Sequence, residues 1–166
     1  VLFRSAGYRI GWMIVSGNKR LGSDFMLGVN MLSNMRLCSN VPAQSIVQTA
    51  LGGHQSVKDY VAPGGRVYEQ RNYVYEALNA IDGITAVKPK AAFYIFPKMD
   101  VKKFNIHDDE QFALDLLHQK GILITRGGGF NWPEPDHFRI VYLPRMGVLR
   151  EAMEDLAEFF ETYRQA

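Results

Sequence analysis

At 166 residues, with 47% hydrophobic and 22% charged residues, the chain has the balance of a folded globular protein and the length of one ordinary domain or the end of a larger protein. Nineteen basic against 17 acidic residues leave a formal charge of +2, and the basic ones are scattered, so composition makes no case for nucleic acid. No run approaches the roughly 20 apolar residues of a membrane span, and the single cysteine, Cys38, rules out an internal disulfide and points to a reducing compartment, the cytosol.

Val1-Leu2-Phe3-Arg4-Ser5 lacks the basic start and long apolar run of a signal peptide. It leads into Ala6-Gly7-Tyr8-Arg9 without a helix cap or strand start, so the sequence is expected to open inside an element, as a truncated gene or a cloning scar would. Residues 10–15, apolar and closed by Ser16-Gly17-Asn18, predict a buried strand. Phe25, Met26, Val29, Met31, Leu32 and Met35 predict a helix over 24–37, weakened by Gly28. Asn40-Val41-Pro42 resets the backbone, and a second helix is predicted over 42–51, stopped by Gly52-Gly53.

After Pro63-Gly64-Gly65, apolar residues from Val67 to Ile81 at spacings of three and four predict a helix ended by Asp82-Gly83. A domain boundary belongs in or before that helix, dividing the chain into 1–62 and 63–166. The second part predicts an α+β unit: strands near 84–87 and 92–96, a helix opened by Asp108 and Gln111 at capping-box spacing and stopped by Gly121, strands at 122–125 and 138–142, and a closing helix carrying Leu149, Met153, Leu156, Phe160 and Tyr163.

Two arginines stand out. Arg9 leaves the backbone at a predicted strand entry; its residue type alone favours an ordinary surface pair over an anion anchor. Arg139 lies inside an apolar strand, with His137 and Val141 on its face, and is either a solvated outward residue or an anion clamp at a pocket wall. Gly127-Gly128-Gly129 offers backbone N–H groups to an anion but lacks the spacing and following helix of a phosphate loop, leaving a plain connector or a flexible active-site loop. The four histidines show no metal-ligand spacing with Cys38, so no metal site is expected, and no nucleophile elbow is present.

In order along the chain, Ala6-Gly7-Tyr8-Arg9-Ile10-Gly11-Trp12, Met35-Arg36-Leu37-Cys38-Ser39-Asn40-Val41-Pro42, Pro63-Gly64-Gly65-Arg66, Ala92-Phe93-Tyr94-Ile95-Phe96-Pro97, Phe104-Asn105-Ile106-His107-Asp108-Asp109 and Phe130-Asn131-Trp132-Pro133 with Asp136-His137-Phe138-Arg139 resemble the fold-type-I aminotransferases, over nearly the whole length. Within them the likeness is to bacterial enzymes that exchange amino groups between glutamate and pyruvate. The resemblance implies an α/β fold, here the C-terminal part: the end of the large cofactor-binding domain (1–62) and the small α+β domain (63–166). It implies pyridoxal 5'-phosphate as cofactor, with an amino acid and a 2-oxo acid as substrates. It assigns Arg9 to the cofactor phosphate and Arg139 to the substrate α-carboxylate, and sets Ser39 and Asn40 near the homodimer interface and the neighbouring active site.

The lysine that carries the cofactor in this family precedes the phosphate arginine by eight positions, and that position falls on Val1. On this resemblance the chain is expected to be an inactive fragment of a transaminase moving an amino group between alanine and 2-oxoglutarate. Transfer from other small or branched amino acids, and a non-catalytic carboxylate-binding α+β module, are the alternatives. An exposed sheet edge and an uncovered apolar face near the N-terminus are also expected, inviting self-association.

Overall fold

The computed structural model describes residues 6–166, so Val1 lies outside the described residues. The chain divides into two compact units, with the division between Lys58 and Asp59.

In the first unit, a 3₁₀ turn at Ala6–Tyr8 precedes an irregular stretch, a second 3₁₀ turn spans Lys19–Gly22, and helices α1 (Ser23–Arg36), α2 (Val41–Ser45) and α3 (Val47–Gly52) follow. The strand predicted over 10–15 does not form. A strand needs a neighbour for its backbone N–H and C=O groups, no described strand pairs with this segment, and Trp12, Met13 and Ile14 are exposed. Helix α1 runs through Gly28 as its apolar spacing requires, yet it buries no residue: Phe25, Leu27, Met31, Leu32 and Met35 are all exposed.

The single helix predicted over 42–51 is two. Asn40 caps α2, its Oδ1 accepting from the Ala43 N–H at 3.2 Å. The break at Ile46 has a local cause. The Ser45 hydroxyl donates to the Pro42 carbonyl at 2.7 Å, the acceptor that the Ile46 N–H would use in a continuous helix, and Ile46 turns to the Gln44 carbonyl instead.

Helix α4 (Val57–Val61), not predicted, leads into the second unit, which holds α5 (Arg66–Ala80), β1 (Ile84–Thr85), β2 (Tyr94–Ile95), β3 (Lys98–Met99), α6 (Asp109–Lys120), β4 (Thr125–Arg126), a 3₁₀ turn at Gly127–Phe130, β5 (Phe138–Val141) and α7 (Met146–Thr162). Strands β2, β5 and β4 make an antiparallel sheet with β5 central, registered by Tyr94↔Val141, Ile95↔Ile140, Thr125↔Arg139 and Arg126↔Phe138. A two-stranded pair, β1 and β3, stands beside a bridge between Lys98 and His137. The strand predicted over 122–125 shrinks to its last residue plus Arg126, because the ladder with β5 stops at Thr125↔Arg139 and leaves Leu123 exposed.

One apolar core lies under this sheet. Helix α7 contributes Leu149, Met153, Leu156 and Phe160 at steps of four, three and four, the stripe predicted from sequence. They meet Val74 and Leu78 of α5, Phe112 and Leu116 of α6, and Phe138 of β5. Phe112 is the centre, with ring centroids of Phe138, Phe160 and Tyr163 at 5.5, 5.7 and 5.9 Å. Helix α6 begins on Asp108, whose Oδ1 accepts from the N–H groups of Glu110 and Gln111 at 2.8 and 3.2 Å, and ends on Gly121 at φ 67. Only half of the predicted capping box is present. The Gln111 side chain bonds Asp115 instead, and the Asp108 N–H donates to Gln165 Oε1 at 2.9 Å.

Candidate functional site

Arg139 sits on the central strand of the three-stranded sheet, beside Thr125 on β4 and diagonal to Tyr94 on β2. Two adjacent strands therefore fix its surroundings through register alone. Its guanidinium carbon lies 4.6 Å from the Tyr94 ring centroid and 4.6 Å from that of Phe130, so the cation is held between two aromatic faces. Its Nη2 donates to Thr125 Oγ1 at 3.3 Å, while its Nε is buried and without a hydrogen-bond partner. An unpaired buried donor costs about 1–3 kcal/mol. A guanidinium fork held between two rings with its inner N–H unused can donate to a planar anion with two oxygens.

Phe130 reaches Arg139 from the glycine loop. Gly127 N–H donates to the His137 carbonyl at 2.8 Å, and a side chain at Gly127 would meet that carbonyl at 2.7 Å, so only glycine permits this approach. Gly128 N–H donates to Asp109 Oδ2 at 2.6 Å. The anion at this loop is thus the chain's own buried Asp109, which also pairs with Arg126 at 3.3 Å. The 3₁₀ turn ends on Asn131 at φ 58, and the Trp132 N–H closes back on the Gly127 carbonyl at 3.3 Å.

Next to this loop stands a polar cluster that sequence reading did not single out. Asp136, buried, accepts from Trp132 Nε1 at 2.8 Å and contacts His137 Nδ1 at 2.6 Å and Lys98 Nζ at 3.3 Å. Burial by itself would raise the pKa of Asp136, but the hydrogen bonds from His137, Trp132 and Lys98 outweigh it and hold the carboxyl below its ordinary value. Phe96 packs over the cluster, stacked on His137 at 4.8 Å and edge-on to Trp132 at 5.7 Å and to Phe130 at 6.3 Å. Trp132 and Asp136 stand four apart in sequence, but a loop rich in Gly and Pro carries no periodicity from which such a contact is read.

The other sequence-selected residues lie in the first unit. Arg9 is exposed and follows the first 3₁₀ turn at φ 55, a left-handed conformation that a non-glycine residue adopts at a cost. Asn40 joins it indirectly: besides capping α2, its Nδ2 donates to the carbonyl of Tyr8, the residue before Arg9, at 3.1 Å. Ser39 is exposed beside it. Arg139 belongs to the second unit. Among the described residues no group of three or more His, Cys, Asp or Glu side chains is placed to hold a metal, and no helix is long and apolar enough to cross a membrane.

The glutamate-pyruvate aminotransferase AlaA of Haemophilus influenzae is 55% identical over 98% of the chain, and the alanine aminotransferase of Mycobacterium bovis 52% identical over the same share. The crystal structure of an aminotransferase from Escherichia coli superimposes with a TM-score of 0.92 at 50% identity, over 98% of this chain and 40% of that one. The chain spans about 40% of the length of the relatives it matches. The sequence pattern of aminotransferase class I and II matches residues 3–158, and with a fold of fold-type-I aminotransferases the chain belongs to that family.

Proposed function

We propose that this chain supplies the substrate-carboxylate clamp of an enzyme that moves an amino group between alanine and 2-oxoglutarate, giving pyruvate and glutamate. The observation that carries the reading is the Arg139 fork, held between Tyr94 and Phe130 with a buried Nε that has no partner. A substrate α-carboxylate would accept from Nε and the adjacent Nη, replacing an unpaired donor by a charge-assisted pair. The names of the similar glutamate-pyruvate aminotransferase of Haemophilus influenzae and alanine aminotransferase of Mycobacterium bovis support the substrates. On this reading residues 1–62 belong to the large cofactor-binding domain and 63–166 to the small domain, in a cytoplasmic homodimer with Ser39 and Asn40 near its interface.

Members of this family take pyridoxal phosphate, and the residues present fit its phosphate end. Arg9 places an exposed guanidinium fork on a backbone whose left-handed turn is tied through the Tyr8 carbonyl to Asn40. When bound, that cofactor supplies the electron sink that makes the substrate Cα proton removable. This chain's part is to anchor the two anionic ends: Arg9 for the phosphate and Arg139 for the carboxylate. The lysine position falls on Val1, so the group that would move the proton is not supplied by that residue.

The test is amino exchange by a polypeptide of the relatives' full length that contains this chain with Val1→Lys, which restores the amine at the position of the cofactor lysine. Alanine and 2-oxoglutarate are expected to exchange, and Arg139→Lys, which keeps the charge but loses the fork, to raise KM for alanine about 100-fold, the effect of breaking a paired, desolvated ion contact. An unchanged KM would remove Arg139 from the carboxylate site. Faster exchange with valine than with alanine would replace the substrate assignment.

A further inference from the structure

Three donors from three places in the chain converge on one buried carboxylate near the Arg139 clamp. Lys98 Nζ comes from β3, Trp132 Nε1 from the end of the glycine loop and His137 Nδ1 from the residue beside Asp136, at 3.3, 2.8 and 2.6 Å. None of them hydrogen-bonds to or stacks on the Arg139 guanidinium, whose partners are Thr125, Tyr94 and Phe130. Their common effect is mechanical: the Trp132 bond fastens the far end of the 127–132 loop to the start of β5, while the Gly127 bond to the His137 carbonyl fastens its near end. Between those two anchors the loop carries Phe130, one of the two rings against Arg139. Phe96 fills the space between, touching His137, Trp132 and Phe130.

We propose that Asp136 is a positioning residue of the carboxylate clamp, acting through Trp132 and the glycine loop to hold Phe130 against Arg139. The inference rests on the reading of Arg139 as the carboxylate fork. Without the indole bond the far end of the loop keeps only its backbone closure on the Gly127 carbonyl, at 3.3 Å, and its ring packing, so its tip is held less tightly, and a cation–π contact falls off once the ring leaves the cation. With Phe130 displaced, the guanidinium keeps Thr125 and Tyr94 but loses one wall, and with it both its fixed plane and the exclusion of water from one side. A carboxylate then meets a fork that it must itself order.

The experiment follows the Arg139 Nε–H signal by nuclear magnetic resonance in the full 166-residue chain, because rings on both sides of that group displace its resonance. Phe130→Leu sets the reference shift for loss of one ring. Asp136→Asn is expected to move the signal in the same direction as Phe130→Leu, and to add nothing when the two are combined. Trp132→Phe, which keeps the ring and removes only the indole donor, is expected to do the same and stands in should Asp136→Asn not fold. Lys98→Ala, which removes an exposed donor, is expected to leave the signal in place. A wild-type Arg139 signal in folded Trp132→Phe or Asp136→Asn overturns the proposal, as does a double variant whose shifts simply add.

Titration with L-alanine supplies the functional readout: about five-fold weaker binding in Asp136→Asn, the effect of one lost cation–π contact, and no further loss in Phe130→Leu background. If L-alanine shifts no Arg139 resonance in the wild-type chain, the carboxylate reading itself fails. The ligand-free shifts still decide whether Asp136 positions Phe130, so the two failures are separable.

Discussion

Gln165, one residue from the end of the sequence, is buried and uses every polar atom it has. Its Oε1 accepts from the His107 and Asp108 N–H groups at 2.7 and 2.9 Å, its Nε2 donates to the Asp108 carbonyl at 2.6 Å, and its backbone carbonyl accepts from Asn105 Nδ2 at 2.8 Å. One side chain thus satisfies the backbone ahead of α6. Gln165→Ala would remove the partner of two backbone N–H groups and a carbonyl, and is expected to lower unfolding stability by about 1–3 kcal/mol in a urea titration, unlike a surface substitution. Nothing in the residue type announces this. A glutamine near a terminus is ordinarily exposed, and only the return of the chain beside residues 104–108 gives it partners.

Among the elements, the helices were legible and the strands much less so. Helix α7 was read from the spacing of Leu149, Met153, Leu156 and Phe160, and α6 from Asp108 at one end and Gly121 at the other. Those signals are local: a stripe at helical period and a capping carboxylate need no other part of the chain. The Asp108 cap carries a pH signature. Backbone hydrogen bonds from Gln111 first and Glu110 second hold its carboxyl below the usual range. A depressed acid contributes stability that is present above the unfolded pKa near ~3.9 and is lost as pH falls through the folded pKa. Fraying of the first turn of α6, followed through the Gln111 amide resonance, is therefore expected below that range and not between pH 5 and 8. The same helix carries Phe112, wholly buried among four aromatic rings, and Phe112→Ala is expected to cost about 3–5 kcal/mol by denaturant titration. Strands offered no such local mark. Residues 10–15 have the composition of one, but a strand exists only beside another.

For the whole molecule the contrast between the two units is what matters. The second unit owns the apolar core, whereas α1 buries no residue and leaves Phe25, Met31 and Met35 exposed. Amide exchange depends on how much buried packing must be broken to open a segment. By mass spectrometry, α1 is expected to exchange about 100-fold or more faster than α7. Protection of α1 equal to that of α7 would show that its apolar face is covered in solution.

Read alone, the sequence determined the helices of the second unit, the turn residues between them and, through the order of its motifs, the family. Each of these is written in neighbouring residues or in a linear succession of them. It left Arg139 open between a solvated residue and an anion clamp, since alternation along a strand does not say what stands on the next strand. Tertiary structure decided the surroundings of that residue. Register on β5 sets Thr125 and Tyr94 beside it, a loop closed on Gly127 delivers Phe130, and Asp136 collects donors up to 38 residues away in sequence. Distance in the chain is the physical reason: groups so far apart acquire a common geometry only when the sheet has paired.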